Sequence, residues 1–555
     1  MKSNEDIFRA FANHPAPLLP ILHTFHDRDG WLSQDSIRAV AENLQIPLAE
    51  LYGTVTFYHH FSQQSSGKQV PRVCTGPICR LNGADEILQD MSAQGASEMP
   101  CAGRCDDPVP VIVGGEVLVG LSVSGLEARP SMLPSPPQKG ITECVFASIR
   151  EANQASLAGY RASQGYRALE TALLEMTPQK VLEAINRSGL AGRGGAGFPT
   201  GRKWQAVRDA AGHPKFIVCN ADEGEPGCFK DRVIMDYDPH AMIEGMALAG
   251  YVCGAEEGFI YLRYEYPGTF NILDNALTEA RAAGWLGRQI QDSEFTFDIH
   301  LVRGAGAYVC GEEGSLLNSM EGKHPFPRNR PPYPVTNGFN DKPTAVNNVE
   351  TLACVPPIIR NSAEWYQGLG LGDESGTKLI SLSGDVAKPG NYEVPLGLPL
   401  KTLLYEWAGG PLPGQTFQAV TMAGLSGGFL GEEALEEASL CEKSIRSYGS
   451  FLGAGGIMVF DARRDMVEVA RQAMSFFAEE SCGKCFPCRI GTERLTERLG
   501  GSGPSEPAAW KAEIQDLGKA MAATSACGLG VAAPLVTESL LRFFPEQVAA
   551  FLKGR

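Results

Sequence analysis

The chain has 555 residues, 43% of them apolar and 20% charged, which is the balance of a globular protein too long for one ordinary domain. A formal charge of −16 at pH 7 argues against a nucleic-acid partner, because phosphate binding needs a basic face. The opening MKSNEDIFRAFANHPAP has no apolar h-region, and no run of about 18 apolar residues occurs, so a cytoplasmic protein with no signal peptide and no membrane insertion is expected.

Residues 1–65 read as a helical domain, with apolar positions at helical spacing through PLLPILHTFHDRDGWLSQDSIRAVAENL and Ser33 placed to cap a helix beginning near Gln34. A small α/β unit follows over 66–127. Its strands are expected in QVPRVCTG and PVPVIVGGEVLVGL, and its helix over ADEILQDMSAQ. The segment 128–165 opens with ARPSMLPSPPQKGI and reads as a linker. A long α/β section spans 166–365. Strand-like segments around one helix, LKTLLYEWAG, fill 366–460, and 461–555 is a helical tail broken by a cysteine group and by GGSGPSEP. No internal repeat is present.

Eight of the fifteen cysteines fall into two groups; the other seven read as small buried hydrophobes. In SCGKCFPCR, two residues separate Cys482 from Cys485 and Cys485 from Cys488, and Cys527 follows in TSACGLG. Three thiolates in one turn plus a remote fourth suit a 4Fe–4S cubane; structural zinc is the alternative, but it usually draws two ligands from each of two knuckles. Cys74 and Cys79, then Cys101 and Cys105, make two pairs on glycine- and proline-containing loops. That pattern suits one pair per iron of a 2Fe–2S centre, with zinc or unrelated core cysteines as alternatives.

Two glycine-rich loops stand out. In LAGRGGAGFPTGRKW, Gly192, Gly194 and Gly197 match the dinucleotide fingerprint in form, but TPQKVLEAINRSGL before them reads as a helix where that fingerprint needs a strand. Such a loop still lets backbone N–H groups approach a phosphate or a flat ring, with Lys203 adding charge. The second loop, Gly304 to Gly311, follows the strand TFDIHLVR, and Glu312 and Glu313 open a helix behind it. These carboxylates either complement the helix dipole or bind ribose or nicotinamide. Between the loops, Asn220, Asp222, Glu223 and Glu225 crowd a strand-to-helix turn, a common ligand edge in α/β sheets.

These stretches together resemble the flavoprotein subunit of respiratory NADH dehydrogenases and their soluble relatives. Over about 185–530 the likeness is carried by GRGGAGFPTGRKW, NADEGEPGCFKDR, YLRYEYP, GAGAYVCGEE, PRNRPPYP, AVNNVETLA, SGTKLISLSGDVAKPGNYEVPLG and SCGKCFPCR. Residues 20–120 separately resemble the thioredoxin-like 2Fe–2S subunit of the same complexes, through GWLSQDSIRAVAENLQIPLAELYGTVTFYHHF, CTGPIC and CAGRC. The chain therefore looks like a fusion of two subunits, similar to the beta (diaphorase) subunit of NAD-linked formate dehydrogenases.

The resemblance implies an α/β multidomain fold: N-terminal helices plus a thioredoxin-like domain, a Rossmann-like FMN domain, a β-grasp domain and a C-terminal helical bundle. It implies FMN on the first glycine loop, contacted by Gly192, Arg193, Gly194, Lys203, Asn220, Asp222, Tyr308, Gly311, Glu312, Glu313, Val346, Asn347, Asn348 and Thr351. NADH would stack against Phe198 in a pocket lined by Glu223, Glu225, Arg330 and Tyr333, with Glu225 and Glu223 as the expected catalytic residues. Two departures stand out. The stretch between Cys79 and Cys101 is shorter than is usual in that family, and Ala206 and Tyr333 stand where phenylalanine is expected.

The implied function is a diaphorase subunit of a hetero-oligomer, relaying electrons between NAD(H) and a partner through FMN, a 4Fe–4S and a 2Fe–2S cluster. The partner expected is a molybdenum- or tungsten-pterin formate dehydrogenase catalytic subunit with further iron–sulfur clusters. A hydrogenase or a respiratory NADH dehydrogenase is the alternative. Readings of other classes are a flavin-free electron-transfer adaptor and a zinc-stabilised interaction module.

Overall fold

The computed structural model describes residues 2–65 and 70–554. The expected boundary at residue 66, and the start of the first expected strand at Gln69, lie outside the described residues. Helices Asn4–Ala10, Leu18–Asp29, Gln34–Leu44 and Leu48–Phe57 form the N-terminal unit. Ser33 Oγ accepts from the backbone N–H of Ser36 at 3.0 Å, the cap its sequence position predicts.

The first sheet contains β1 (Arg72–Cys74), β2 (Ser97–Met99), β3 (Pro110–Val113), β4 (Glu116–Val119) and β5 (Glu127–Ala128), in the order β2-β1-β3-β4-β5. β2 runs parallel to β1 and the other pairs are antiparallel. The β3–β4 hairpin turns on Gly114 and Gly115, whose φ values of 60° and 93° need glycine in a tight turn. The segment 128–165 is strapped across the fold. The Ser135 N–H donates to Asn391 O at 2.9 Å, and the N–H groups of Cys144, Val145 and Phe146 converge on the Glu393 carboxylate.

The central sheet is wholly parallel: β6 (Phe216–Ala221), β7 (Glu257–Leu262), β8 (Asp298–Arg303) and β9 (Thr344–Asn348), ordered β8-β7-β6-β9. Parallel sheets need cover on both faces. Helices Pro178–Ser188, Thr200–Asp209 and Pro239–Cys253 bury one face. The N-terminal helices supply the other cover: Ile7, Leu18, Leu22, Phe25, Val40 and Val55 share one core with Phe216, Val218, Phe259, Tyr261 and Val302 of the strands.

A second mixed sheet follows, with β10 (Thr377–Gly384), β11 (Gly390–Pro395), β12 (Phe417–Thr421), β13 (Phe429–Leu430) and β14 (Gly456–Asp461) in the order β11-β10-β14-β12-β13. The helix expected in LKTLLYEWAG is a π-helical turn, Thr402–Trp407. Six helices from Met466–Glu479 to Pro545–Lys553 complete the chain. Among the described residues no helix is long and apolar enough to cross a membrane.

Candidate functional site

A cavity of about 980 Å³ opens at the carboxyl ends of β6 and β9, where ligands sit in parallel α/β sheets. Of the residues singled out in the sequence, Gly192, Gly194, Phe198, Lys203, Asn220, Gly311, Glu312, Glu313, Arg330, Tyr333, Val346, Asn347 and Asn348 line it. The first glycine loop follows a helix, as its sequence indicates, and closes on itself through Gly192 N–H to Phe198 O at 2.9 Å. Helix Thr200–Asp209 then carries Lys203, whose Nζ donates to Val346 O at 2.8 Å and stands 3.6 Å from Glu313. A Cβ added at Gly194 would lie 2.9 Å from Asn348 Cβ, closer than real Cβ atoms approach.

The second loop ends in a short 3-10 turn, Tyr308–Gly311, and helix Glu313–Met320. Glu312 caps this helix by accepting from Ser315 N–H at 2.9 Å, and also pairs with Arg330 at 2.5 Å. Arg330 reaches Glu313 at 2.8 Å, which gathers both carboxylates at the cavity's rim. Phe198 and Tyr333 leave 47% and 54% of their surface in the open, so two aromatic faces stand ready to stack.

Six of the expected residues do not line this cavity. The Arg193 backbone N–H is held by Thr351 Oγ1 at 2.8 Å, and its guanidinium donates to Tyr366 Oη at 2.6 Å, so the pair braces the loop from behind. Asp222 backs Gly311 with its carbonyl, and its Oδ2 is buried with no hydrogen-bond partner. Burial pushes the Asp222 carboxyl up to about 8. Glu223 accepts from the N–H groups of Asp231 and Arg232 at 2.9 and 3.2 Å and from Tyr266 Oη at 3.1 Å; burial raises it to about 7. Glu225 accepts from Tyr308 Oη, from Ser426 Oγ at 2.7 Å, and from the N–H groups of Leu425 and Ser426 at 2.8 and 3.0 Å. Burial raises it to about 6. Its oxygens thus join the turn after β6 to the loop between β12 and β13.

Residues the sequence reading passed over also shape the site. Trp204 Nε1 donates to Asn347 Oδ1 at 2.9 Å, and Asn348 Nδ2 donates to Asp231 Oδ2 at 2.6 Å. Arg263 donates to Cys101 O at 2.6 Å and to Glu223 O, tying the first cysteine group to the acidic turn. Arg328, Asn329, Ala526 and Gly528 line the cavity; their signal was adjacency, since they flank Arg330 and Cys527.

All fifteen thiols are free, and the seven scattered cysteines are buried. Cys101 Sγ lies 3.5 Å from Cys105 Sγ, and Cys74 Sγ accepts from Ala102 N–H at 3.4 Å. The Cys101 and Cys79 thiols beside Cys74 push its thiol up, so the four thiols are neighbours. Cys482, Cys485, Cys488 and Cys527 ring a second, small cavity with Val309 and Pro327. Among the described residues no three His, Cys, Asp or Glu side chains form a ligand set for a single metal ion. Ala526 and Cys527 line both cavities, so the thiol site and the large cavity share a wall. We expect Cys101→Ser to erase a 2Fe–2S EPR signal and leave a 4Fe–4S signal intact. An unchanged EPR spectrum of the reduced protein would mean that the N-terminal thiols hold no iron.

The large cavity fits FMN. Lys203 and loop N–H groups offer a phosphate site, Asn220 can meet hydroxyls, and glycines leave room for a flat ring. Two foursomes of thiols, one as two loop pairs and one as a triplet with a remote fourth, fit two iron–sulfur clusters. Four family models match the chain: the Nuo51 FMN-binding domain over 185–357, the thioredoxin-like [2Fe-2S] ferredoxin over 4–119, the SLBB domain over 379–428, and the NADH-ubiquinone oxidoreductase-F iron-sulfur binding region over 468–551. Fold and site define a flavin- and iron–sulfur-dependent, NADH-oxidising subunit of diaphorase type.

The F 2 subunit of the NADH-quinone oxidoreductase of Rhizobium meliloti is 45% identical over 406 residues, covering 72% of this chain and 95% of its own. The NAD-reducing hydrogenase HoxS subunit alpha of Cupriavidus necator is 33% identical over 573 residues, covering 97% and 92%. A solved NAD+-reducing [NiFe]-hydrogenase in the H2-reduced state superposes with a TM-score of 0.80 at 31% identity, covering 97% of this chain and 93% of that one. The chain belongs to the family of these NADH-quinone oxidoreductase F and NAD-reducing hydrogenase subunits.

Proposed function

We propose that the chain is the NAD(H)-reacting subunit of a cytoplasmic hetero-oligomer, moving electrons between NAD(H) and a partner catalytic subunit. The observation that carries this reading is the shared wall: the cavity that fits FMN and the ring of four C-terminal thiols have Ala526 and Cys527 in common. FMN supplies the chemistry no side chain can, taking electrons as a hydride and passing them on singly. The chain's own residues bind and orient. Lys203 would hold a phosphate, Glu312 and Glu313, positioned by Arg330, would meet ribose or nicotinamide, and Phe198 and Tyr333 offer faces for stacking. Glu223 and Glu225 fix the turn after β6 through the backbone N–H groups they accept from.

For the partner, a hydrogenase-type subunit has the better support, because the HoxS relative and the solved NAD+-reducing hydrogenase match almost the whole fused chain, while the NADH-quinone oxidoreductase relative covers 72% of it. The formate-type partner rests on the compact spacing between Cys79 and Cys101. Native co-purification from the source, with metal analysis and assays of hydrogen- and formate-dependent NAD reduction, tests both. Nickel with hydrogen-dependent reduction is expected; molybdenum or tungsten with formate-dependent reduction would replace the hydrogenase reading. The diaphorase reading itself requires that NADH bleach the bound flavin anaerobically and that the isolated chain reduce ferricyanide. A preparation that releases no FMN would leave a flavin-free adaptor.

A further inference from the structure

Residues 321–333 cross the rim of the large cavity with no helix or strand of their own. Lacking a backbone ladder, the stretch is fixed by side chains. Arg328 bonds Asn318 Oδ1 and Gly338 O, both at 2.8 Å, and pairs with Glu321 at 2.7 Å, while Asn318 Nδ2 donates to Phe326 O at 2.7 Å. One further tie comes from the cysteine motif. Lys484, between Cys482 and Cys485, donates through Nζ to Pro327 O at 2.5 Å and to Asn329 Oδ1 at 3.3 Å.

The placement of this tie matters. Pro327 faces the small thiol cavity, whereas Arg328, Asn329 and Arg330 face the large one, so four consecutive residues form a partition between them. Arg330, directly after Asn329, holds Glu312 and Glu313 at the rim. Freeing the partition at Pro327 and Asn329 therefore loosens Arg330 and both carboxylates while removing no thiol; the backbone N–H that Lys484 gives Cys482 stays in place.

We infer that Lys484 is a positioning residue for NAD(H): from the cluster-bearing segment it pins residues 327–330, and so sets Arg330 and the acidic pair for the nucleotide. This rests on the NAD(H) reading of the large cavity. A lysine serving only to shape the cysteine loop would be indifferent to nucleotide concentration, which separates the two roles.

The test uses the full holo-chain, with NADH as the probe and ferricyanide as acceptor. Lys484→Ala should raise KM for NADH about fivefold, on the scale of one net hydrogen bond. It should leave kcat and the 4Fe–4S EPR spin count near those of the parent, and Lys484→Arg should restore KM. Asn329→Ala should raise KM in the same direction, and the double variant should be no worse than Lys484→Ala, because the two residues act as one contact. An unchanged KM in Lys484→Ala, or additive effects in the double variant, would overturn the proposal. So would a rise in KM seen only together with lost spin count. A parent chain that oxidises no NADH sinks the NAD(H) reading and this inference with it, whereas NADH oxidation indifferent to both residues sinks only the positioning role.

Discussion

Cys527→Ser is expected to abolish electron delivery from NADH to the partner subunit while dye reduction taken directly from the flavin survives. Cys527 is the remote fourth member of the C-terminal thiol ring, and it begins the short helix Gly528–Ala532. Serine keeps the shape of the wall but offers a poor iron ligand. Changes merely around a metal site cost about 10- to 100-fold, so loss of a ligand should cost at least about 100-fold in transfer to the partner. The measurement is a pair of assays on the intact complex, NADH with ferricyanide and NADH with the partner's own substrate, together with 4Fe–4S EPR. Equal loss in both assays would mean that the substitution damaged the large cavity rather than the relay.

Gly194→Ala should strip the chain of its flavin. The added methyl would meet Asn348 Cβ at 2.9 Å. Asn348 cannot swing aside cheaply, because it donates to Asp231 at 2.6 Å and accepts from Glu350 N–H at 3.0 Å. Overpacking of this kind costs about 1–3 kcal/mol. If the strain falls on the bound state, FMN would dissociate about 5- to 150-fold more readily. Flavin content after gel filtration and an FMN titration of the stripped protein read this directly. Parent-like flavin content would show that the loop has room the distance denies.

The site was legible in the sequence wherever chemistry is written locally. The cysteine spacings, the glycine loops and the strand leading into Gly304 each need only a few consecutive residues. The fold was legible on the same terms, from the Ser33 cap to the helix before the first glycine loop and the strand before the second. β2 and β5 escaped because strands of three and two residues show no alternation. What could not be read was direction. Glu223 and Glu225 belong to an acidic turn that sequence alone points at a ligand. Their oxygens are instead taken by Tyr266, Tyr308 and Ser426, partners between 43 and 201 residues away along the chain. Arg263 and Trp204 were hidden for the same reason, since their roles depend on contacts made across units.

The core that the N-terminal helices share with β6, β7 and β8 bears on how such a protein can be assembled. Synthesised as two polypeptides, the nucleotide-binding half would carry a bare apolar sheet face until its companion arrived, and its stability would rise and fall with the companion's concentration. Joining the two converts that encounter into an internal docking step at an effective concentration in the millimolar range. It also fixes their ratio at one to one. The peptide between them therefore acts as a stoichiometry device: every copy that can take electrons from a nucleotide leaves the ribosome already joined to its second set of cluster-binding thiols.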